Sequence, residues 1–353
     1  MGNRPDPGSG PVAGPLSDLV ASSGVAPLSD TVPRSGAGAG AVGPSDVVPA
    51  TGRSGGVGPR PRPAPIGAAR SSVRRPVERI DLDGPGHRRP DTLAAEEPLE
   101  IRVGGVPLAV TMRTPGHDLE LATGFLITEG IVAGPWQIAA AQVCAGPPAV
   151  ARPLLEDDTP PANVVEVTLV AGVAPPPPSA ARAFYTTSSC GICGKASVDA
   201  VRTQAVFDVA ADPVVVDPAV LVELPDRLRA VQRVFATTGG LHAAALADPV
   251  TGELLCVRED VGRHNAVDKV IGAAALRLGL PLSGRVLLVS GRASFELAQK
   301  ALMVGIPVLA AVSAPSSLAV DLAAEVGMTL VGFLRGRTMN VYAGGHRLQR
   351  TVS

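Results

Sequence analysis

The stretch RVLLVSGRASFELAQKALMVGIPVLAAV, residues 285–312, decides the fold class of this chain. Two short apolar runs, 285–289 and 308–312, flank a segment with the Ala/Leu spacing of a helix. Short apolar strands that alternate with helices indicate right-handed crossovers and parallel pairing. The alternation extends in both directions from this stretch, so the second half of the chain is predicted to be an α/β domain.

The predicted elements of the second half begin with two hairpin strands, which three successive helix–strand units follow. Such an order is like that of the cytidine-deaminase fold. The fold class is therefore expected to be α/β, with a cytidine-deaminase-like, mostly parallel sheet, helices on both faces and a smaller N-terminal α+β subdomain. The predicted helices are 119–127, 221–235, 265–278, 295–304 and 318–326. The predicted strands are 99–112 (a pair that turns at Gly104-Gly105), 163–170, 241–246, 254–257, 285–289, 308–312 and 328–333.

Composition changes along the chain and indicates where domains begin. The first 75 of the 353 residues are mostly Gly, Pro, Ser, Ala and Val. Such a composition offers too little apolar surface to form a core. We therefore expect a disordered tail at 1–75, the N-terminal subdomain at 76–185, a mobile Cys-x-x-Cys loop at 186–198 and the main domain at 199–353. The net charge of −1 argues against nucleic-acid binding. Without an export signal or a long apolar run, we expect a cytoplasmic protein that does not contact membranes.

Two of the four cysteines form the motif Cys190-Gly-Ile-Cys193. This spacing suits half of a zinc site, a dithiol redox centre or a carrier of persulfide sulfur. No second cysteine pair completes a zinc site, so no resident metal is expected, and Lys195 lies close enough to lower a thiol pKa. The spacing alone leaves the three chemistries open. Cys144 and Cys256 are predicted to be buried core thiols.

Polar residues follow four of the predicted strands and predict a binding site. They occupy 258–265, 290–294, 313–317 and 335–337, which meet at one edge if the strands are parallel. Helix starts and arginines favour phosphate, so we expect a polyanionic ligand such as a nucleotide. Each loop taken alone is more often explained by helix capping and surface arginine, but four loops in register favour a ligand. The candidate ligand residues are Ser290, Arg292, Ser316, Arg335, Arg337 and His264, whereas His242 is expected in the core.

Only three of the 31 basic residues are lysines: Lys195, Lys269 and Lys300. Lys195 follows the Cys-x-x-Cys motif. Lys269 and Lys300 lie in the predicted helices that follow the polar loops 258–265 and 290–294. A compact ammonium group differs from guanidinium in shape and hydration, so these positions are candidates for a specific requirement. Three ordinary surface lysines would give the same pattern.

Six segments together resemble the FdhD family of formate dehydrogenase accessory sulfurtransferases. They occur in family order within residues 75–348: RTPGHDLELATGFL (113–126), SCGICGK (189–195), GGLHA (239–243), REDVGRHNAVDK (258–269), SGRASFEL (290–297) and APSSL (314–318). The resemblance implies that a cysteine desulfurase passes persulfide sulfur to Cys190, which Cys193 assists. The sulfur then goes to the molybdenum of a bis-molybdopterin guanine dinucleotide cofactor before that cofactor enters formate dehydrogenase.

The resemblance also implies a homodimer and a cofactor-binding stretch near the C-terminus. That stretch maps onto Phe333, Leu334, Arg335, Gly336, Arg337 and Thr338. The guanine amino group would need an acceptor, for which Asp260 and Glu259 are candidates. Two alternatives remain: a zinc-dependent deaminase, although His242 lacks the His-x-Glu pattern, and a chaperone that holds the cofactor without catalysis.

Overall fold

A computed structural model describes residues 70–144, 163–176 and 205–349 of the chain. One compact unit, residues 62–353, contains all of them. The first strand within the described residues starts at Ser72, close to the predicted boundary at residue 75. The rest of the predicted tail and the predicted Cys-x-x-Cys loop lie outside the described residues. Both therefore stay predictions, as does the predicted subdomain boundary at residue 185.

The strands are β1 (Ser72–Asp81), β2 (Gly84–Ala94), β3 (Glu97–Val103), β4 (Val106–Arg113), β5 (Ile138–Cys144), β6 (Val164–Leu169), β7 (His242–Ala247), β8 (Leu254–Asp260), β9 (Val286–Val289), β10 (Val308–Ala311), β11 (Thr329–Arg335) and β12 (Thr338–Ala343). The α-helices within the described ranges are α1 (Asp118–Thr128), α2 (Pro218–Val231), α3 (Arg233–Thr238), α4 (Arg263–Leu278), α5 (Phe295–Met303) and α6 (Ser317–Glu325). Short 3-10 turns cover Pro135–Gln137 and Gly345–Arg347.

The main sheet has six strands in the order β12-β11-β10-β9-β7-β8. Strands β9, β10 and β11 pair in parallel, as the helical connections predict. The prediction of a mostly parallel sheet is wrong, because β7 pairs antiparallel with both β8 and β9, and β12 pairs antiparallel with β11. Strand pairs β7–β8 and β11–β12 are joined by short turns, which permit only antiparallel pairing. The likeness to cytidine deaminase stays a prediction.

Helices cover both faces of this sheet, as expected. Helices α4, α5 and α6 bury their apolar side chains against one face. Helix α2 packs Leu221, Leu224 and Leu228 against the other face. No helix in the described ranges has the length and apolarity needed to span a bilayer. The layers follow from the spacing of Ala, Leu and Val along each helix.

A second sheet has the order β4-β3-β6-β5. Its first two strands turn at Gly104 and Gly105, whose φ angles of 59° and 79° suit a tight hairpin turn. The expected helix at 119–127 and strand at 163–170 correspond to α1 and β6. Cys256 is buried as predicted, whereas Cys144 at the end of edge strand β5 is partly exposed, which corrects its assignment to the core.

Several elements departed from the predictions. The helix expected over 221–235 is two helices, α2 and α3, that meet at Gln232. Strands β1, β2, β5 and β12 were not predicted. Strands β1 and β2 form a separate hairpin rich in exposed arginine, and β12 carries exposed polar residues. Strands with little buried apolar surface lack the alternation that sequence reading depends on.

Helices α1 and α4 cross at unusually close range. A Cβ atom added at Gly124 would lie 1.9 Å from the carbonyl oxygen of Asp268. One added at Gly272 would lie 1.9 Å from the carbonyl oxygen of Glu120. Reciprocal glycines therefore let the two backbones touch. This contact joins α1, which covers the smaller sheet, to α4 on the main sheet within a single apolar core.

Lys300 connects three helices in the same region. Its ammonium group donates to Thr128 Oγ1 at 2.9 Å and to Glu129 Oε1 at 2.8 Å, and lies 3.0 Å from Asp268 Oδ1. Burial opposes protonation of Lys300, but the two carboxylates outweigh it and raise the pKa of the ammonium group. Lys300 is thus a buried cation with matched acceptors and not a surface lysine.

The Gly124→Ala variant should be strongly destabilised, since the new methyl group would overlap the α4 backbone. We expect a loss of about 3 kcal/mol or more in the free energy of unfolding, measured by urea denaturation. Gly345→Ala is a matched control, because the nearest atom to its added Cβ would be 3.6 Å away. Equal stability of the two variants would contradict the close crossing.

Candidate functional site

Four polar loops meet at one edge of the main sheet, as the sequence predicted. Strands β8, β9, β10 and β11 all end there, and β7 begins there because it runs antiparallel to its neighbours. We call this surface the carboxyl edge and define it as residues 258–265, 290–294, 313–317 and 333–338 together with His242. In open α/β sheets, ligands bind at the edge where parallel strands end.

Backbone hydrogen bonds continue from loop to loop beyond the strand ends. Ser313 donates to the carbonyl of Gly291 at 3.3 Å, and Ser316 donates to the carbonyl of Ala293 at 2.9 Å. Phe333 in turn donates to the carbonyl of Ser313 at 3.1 Å. The loops after β9, β10 and β11 are therefore held together as one surface.

The two predicted ligand serines have structural partners. Ser290 Oγ accepts a hydrogen bond from the backbone N–H of Ala243 at 2.9 Å. Ser316 Oγ accepts from the backbone N–H of Ala319 at 3.3 Å and so caps α6. The hydrogen bond from the backbone fixes the position of each hydroxyl oxygen. Each hydroxyl can still donate its own proton to a ligand.

His264 lies on the first turn of α4 and faces the start of α5. Its Nε2 lies 3.5 Å from Ser294 Oγ and 3.8 Å from Glu296 Oε2. The nearby imidazole of His264 lowers the pKa of Glu296 to about 2 against the opposing effect of burial, and Ser294 and a backbone N–H also contribute. A carboxylate thus already occupies the start of α5, where a phosphate was expected. The first turns of α4 and α6 carry no acidic residue.

The C-terminal stretch 333–338 forms the β11–β12 hairpin at this edge. Arg335 lies over the ring of Phe333 at 5.5 Å, and both Arg335 and Arg337 are exposed. Phe333 has a φ of 50°, a conformation that costs a bulky residue free energy and is often found at functional sites. Leu334 is fully buried in the core, so its side chain does not face a ligand. Gly336 makes the turn, and Thr338 donates to the carbonyl of Arg335 at 3.3 Å.

Asp260 and Glu259 are already committed to internal contacts, which corrects their assignment as acceptors for guanine. Asp260 is fully buried and accepts hydrogen bonds from Lys269 Nζ at 2.7 Å and from the backbone N–H of Gly262 at 2.8 Å. The backbone N–H of Thr114 and the amide of Asn265 complete its shell, each at 3.1 Å. Glu259 accepts from two backbone N–H groups at the start of α3.

His242 lies at the carboxyl edge and not in the core, which corrects a second prediction. It is the first residue of β7, is half-buried and lies against Gly291, where an added Cβ would be 3.3 Å from its Nδ1. Burial lowers the pKa of His242, and the guanidinium of Arg263 lowers it further. The imidazole is therefore neutral at neutral pH.

Sequence reasoning did not single out Arg263 as a site residue. Its Nε atom is buried and has no hydrogen-bond partner within the part of the chain that the structure describes. A buried donor without a partner carries a desolvation cost, which a ligand acceptor would relieve. The signal in the sequence was its place between Gly262 and His264 at a helix start.

The carboxyl edge therefore presents cations and helix starts to a ligand. Arg263, His264, Arg292, Arg335 and Arg337 contribute guanidinium or imidazole donors, and two helix starts contribute free N–H groups. Such an arrangement suits a polyanion with more than one phosphate. Cys190 and Cys193 lie outside the described residues, so their distance from this edge stays open.

A comparison with protein families identifies the chain. The model of the FdhD/NarQ family matches residues 94–349. The chain belongs to this family. The match contains the whole carboxyl edge as well as Cys190 and Cys193, whereas nearly all of the β1–β2 hairpin precedes it.

Similar proteins agree with the family assignment. The sulfur carrier protein FdhD of Streptomyces coelicolor is 61% identical over 280 residues, which are 79% of this chain and 96% of that protein. The sulfur carrier protein FdhD of Mycobacterium tuberculosis is 58% identical over 262 residues, 74% of this chain and 92% of that protein. Both relatives are thus named as sulfur carriers and are matched over more than nine-tenths of their own length.

A solved structure supports the fold. The crystal structure of a proposed formate dehydrogenase accessory protein from Desulfotalea psychrophila superposes with a TM-score of 0.61 and 22% identity. The superposition covers 79% of this chain and all of that chain. At this identity the likeness concerns the fold alone.

Asp260→Asn should destabilise the protein, because it leaves the buried ammonium of Lys269 without its counter-charge. We expect a loss of roughly 3–5 kcal/mol in the free energy of unfolding. Asp321→Asn, the same change on the exposed side of α6, is the control and should have little effect. The double variant Asp260→Asn/Lys269→Met should recover part of the loss. A single variant as stable as the wild type would contradict the paired-charge assignment.

Proposed function

We propose that this chain accepts persulfide sulfur from a cysteine desulfurase and transfers it to the bis-molybdopterin guanine dinucleotide cofactor of a formate dehydrogenase. Cys190 is the proposed carrier, and Cys193 assists it. The observation that carries the proposal is the carboxyl edge, a surface of cationic donors and helix starts that suits phosphate, in a family whose named members are sulfur carriers. In this proposal the cofactor is the cargo that receives the sulfur and not a resident group of the chain.

The sulfur-loading step requires no added oxidant. The Cys190 thiolate attacks the terminal sulfur of the desulfurase persulfide, so one S–S bond forms on Cys190 as the other breaks. The desulfurase cysteine leaves as a thiolate, and the terminal sulfur moves with its oxidation state unchanged. A lowered thiol pKa favours the attacking thiolate, and the nearby Lys195 is proposed to provide it.

The carboxyl edge is proposed to hold the guanine dinucleotide part of the cargo. The starts of α4 and α6 offer free N–H groups to its phosphates, and Arg335 and Arg337 lie on the hairpin beside them. With Asp260 and Glu259 occupied, the guanine amino group would be read by a backbone carbonyl or by the exposed carboxylate of Glu296. A protein that only holds the cofactor would need the same edge but no reactive cysteine.

Incubation with a cysteine desulfurase and cysteine should add the mass of one sulfur atom to the wild-type protein. Cys190→Ser should abolish the addition, since the attacking thiolate is removed. Cys144→Ser is a matched control, because Cys144 is a partly exposed thiol outside the motif. Mass spectrometry of the intact protein measures the difference. Equal sulfur loading of the Cys190 variant would assign the carrier role to another cysteine, whereas no loading of the wild type would favour the chaperone function.

Arg337→Ala should weaken GDP binding while sulfur loading stays unchanged. A charge-assisted contact to phosphate contributes about 1.5–3 kcal/mol, which corresponds to roughly 10- to 100-fold in affinity. Calorimetric titration with GDP, compared with ATP, measures the effect. Arg227→Ala removes an exposed arginine on α2 and is the control. A wild type that binds ATP more tightly than GDP, or neither nucleotide, would show that the edge has another ligand.

A further inference from the structure

His242 occupies a central position at the carboxyl edge. As the first residue of β7, it lies between the ends of β8 and β9, the two strands that flank β7 in the sheet. Its ring crowds Gly291, the second residue of the loop between β9 and α5. The side chain is half-buried, so it is shielded from bulk water on one side and open on the other.

The charged groups around His242 are mostly cationic. Helix α4 contributes Arg263 and His264, and the loop after β9 contributes Arg292. Strand β8 contributes the carboxylate of Asp260, which lies opposite His242 in the sheet. That carboxylate is paired with Lys269 at 2.7 Å and with three further donors, and it offsets only part of the cationic field at His242.

His264 differs from His242 because it already has an anionic partner. The carboxylate of Glu296 lies 3.8 Å from its Nε2. Arg263, by contrast, keeps a buried Nε without a partner in the described ranges. The unsatisfied donor and the neutral imidazole therefore lie in the same part of the edge, where a ligand anion would meet both.

We propose that His242 binds the anionic group of the ligand at the carboxyl edge and takes up one proton as it does so. The inference rests on the proposed function, which makes that group a phosphate of a guanine nucleotide. The proton comes from solvent, converts the imidazole to imidazolium and supplies an N–H donor to a phosphate oxygen. No covalent bond in the ligand changes, and the proton returns to water when the ligand leaves.

The physical reason is that a bound anion reverses the electrostatic effect of the surrounding cationic groups on His242. In the empty site, burial and Arg263 hold the pKa of His242 below its ordinary value of 6.5. A bound polyanion adds opposite charge and raises that pKa. At a pH between the pKa of His242 in the free protein and its higher pKa in the complex, the complex therefore binds more protons than the free protein. Affinity for the nucleotide should fall as pH rises through this window, by up to about tenfold for each pH unit.

The test is calorimetric titration of the full-length protein with GDP near pH 7 in buffers of different ionisation enthalpy. The dependence of the observed heat on the buffer gives the number of protons taken up on binding. We expect the wild type to take up as much as one proton more than His242→Gln does. Any protonation change of GDP itself is common to both proteins and cancels in the comparison. His346→Gln, an exposed histidine on the 3-10 turn after β12, should behave like the wild type.

Each outcome supports or overturns the inference. GDP binding by the wild type without proton uptake, once the proton that GDP itself loses is allowed for, overturns it and leaves the proposed function standing. Equal uptake by His242→Gln and the wild type also overturns it, and loss of uptake in His264→Gln alone would assign the proton to His264. No GDP binding by the wild type overturns both the inference and the nucleotide edge. The measurements on the wild type remain decisive even if a variant fails to fold.

Discussion

The buried carboxylate of Asp260 is the contact on which the rest of the site depends. It ends β8, receives the ammonium of Lys269 from α4 and binds the backbone of Thr114 after β4. One side chain thus joins the main sheet, its first crossover helix and the smaller sheet. A buried charge is tolerated only when its partners are complete, so the three elements have little freedom to move apart. The turn from β8 into α4, which carries Arg263 and His264, is fixed by the same contact.

This constraint has an electrostatic consequence. Asp260 and Glu259, which lie opposite the start of β7, are held by internal donors and therefore offset only part of the positive charge at the carboxyl edge. Glu296 compensates His264 alone. The edge therefore keeps an excess of cationic donors, which is the property that an anionic ligand requires. The internal contacts of Asp260 and Glu259 thus stabilise the fold and also leave the edge with the positive charge that suits the proposed ligand.

The close crossing of α1 and α4 works together with these ion pairs. Gly124 and Gly272 bring the two backbones into contact, and Lys300 then reaches Thr128, Glu129 and Asp268 from α5. A longer guanidinium would not fit the same space with the same donors. The rarity of lysine in this arginine-rich chain therefore has a structural explanation at Lys269 and Lys300, both of which are buried.

The sequence by itself determined the elements whose apolar periodicity is strong, the convergence of four polar loops and the family resemblance that the comparisons confirmed. Local periodicity records which face of an element is buried, and this information survives without tertiary structure. Tertiary structure decided what each polar group does. Asp260 and Glu259 looked like ligand acceptors and His242 like a core residue, because a sequence does not show which donors meet a carboxylate across the fold. It likewise hid the antiparallel pairing of β7 with β9, since this pairing joins partners that are distant along the chain.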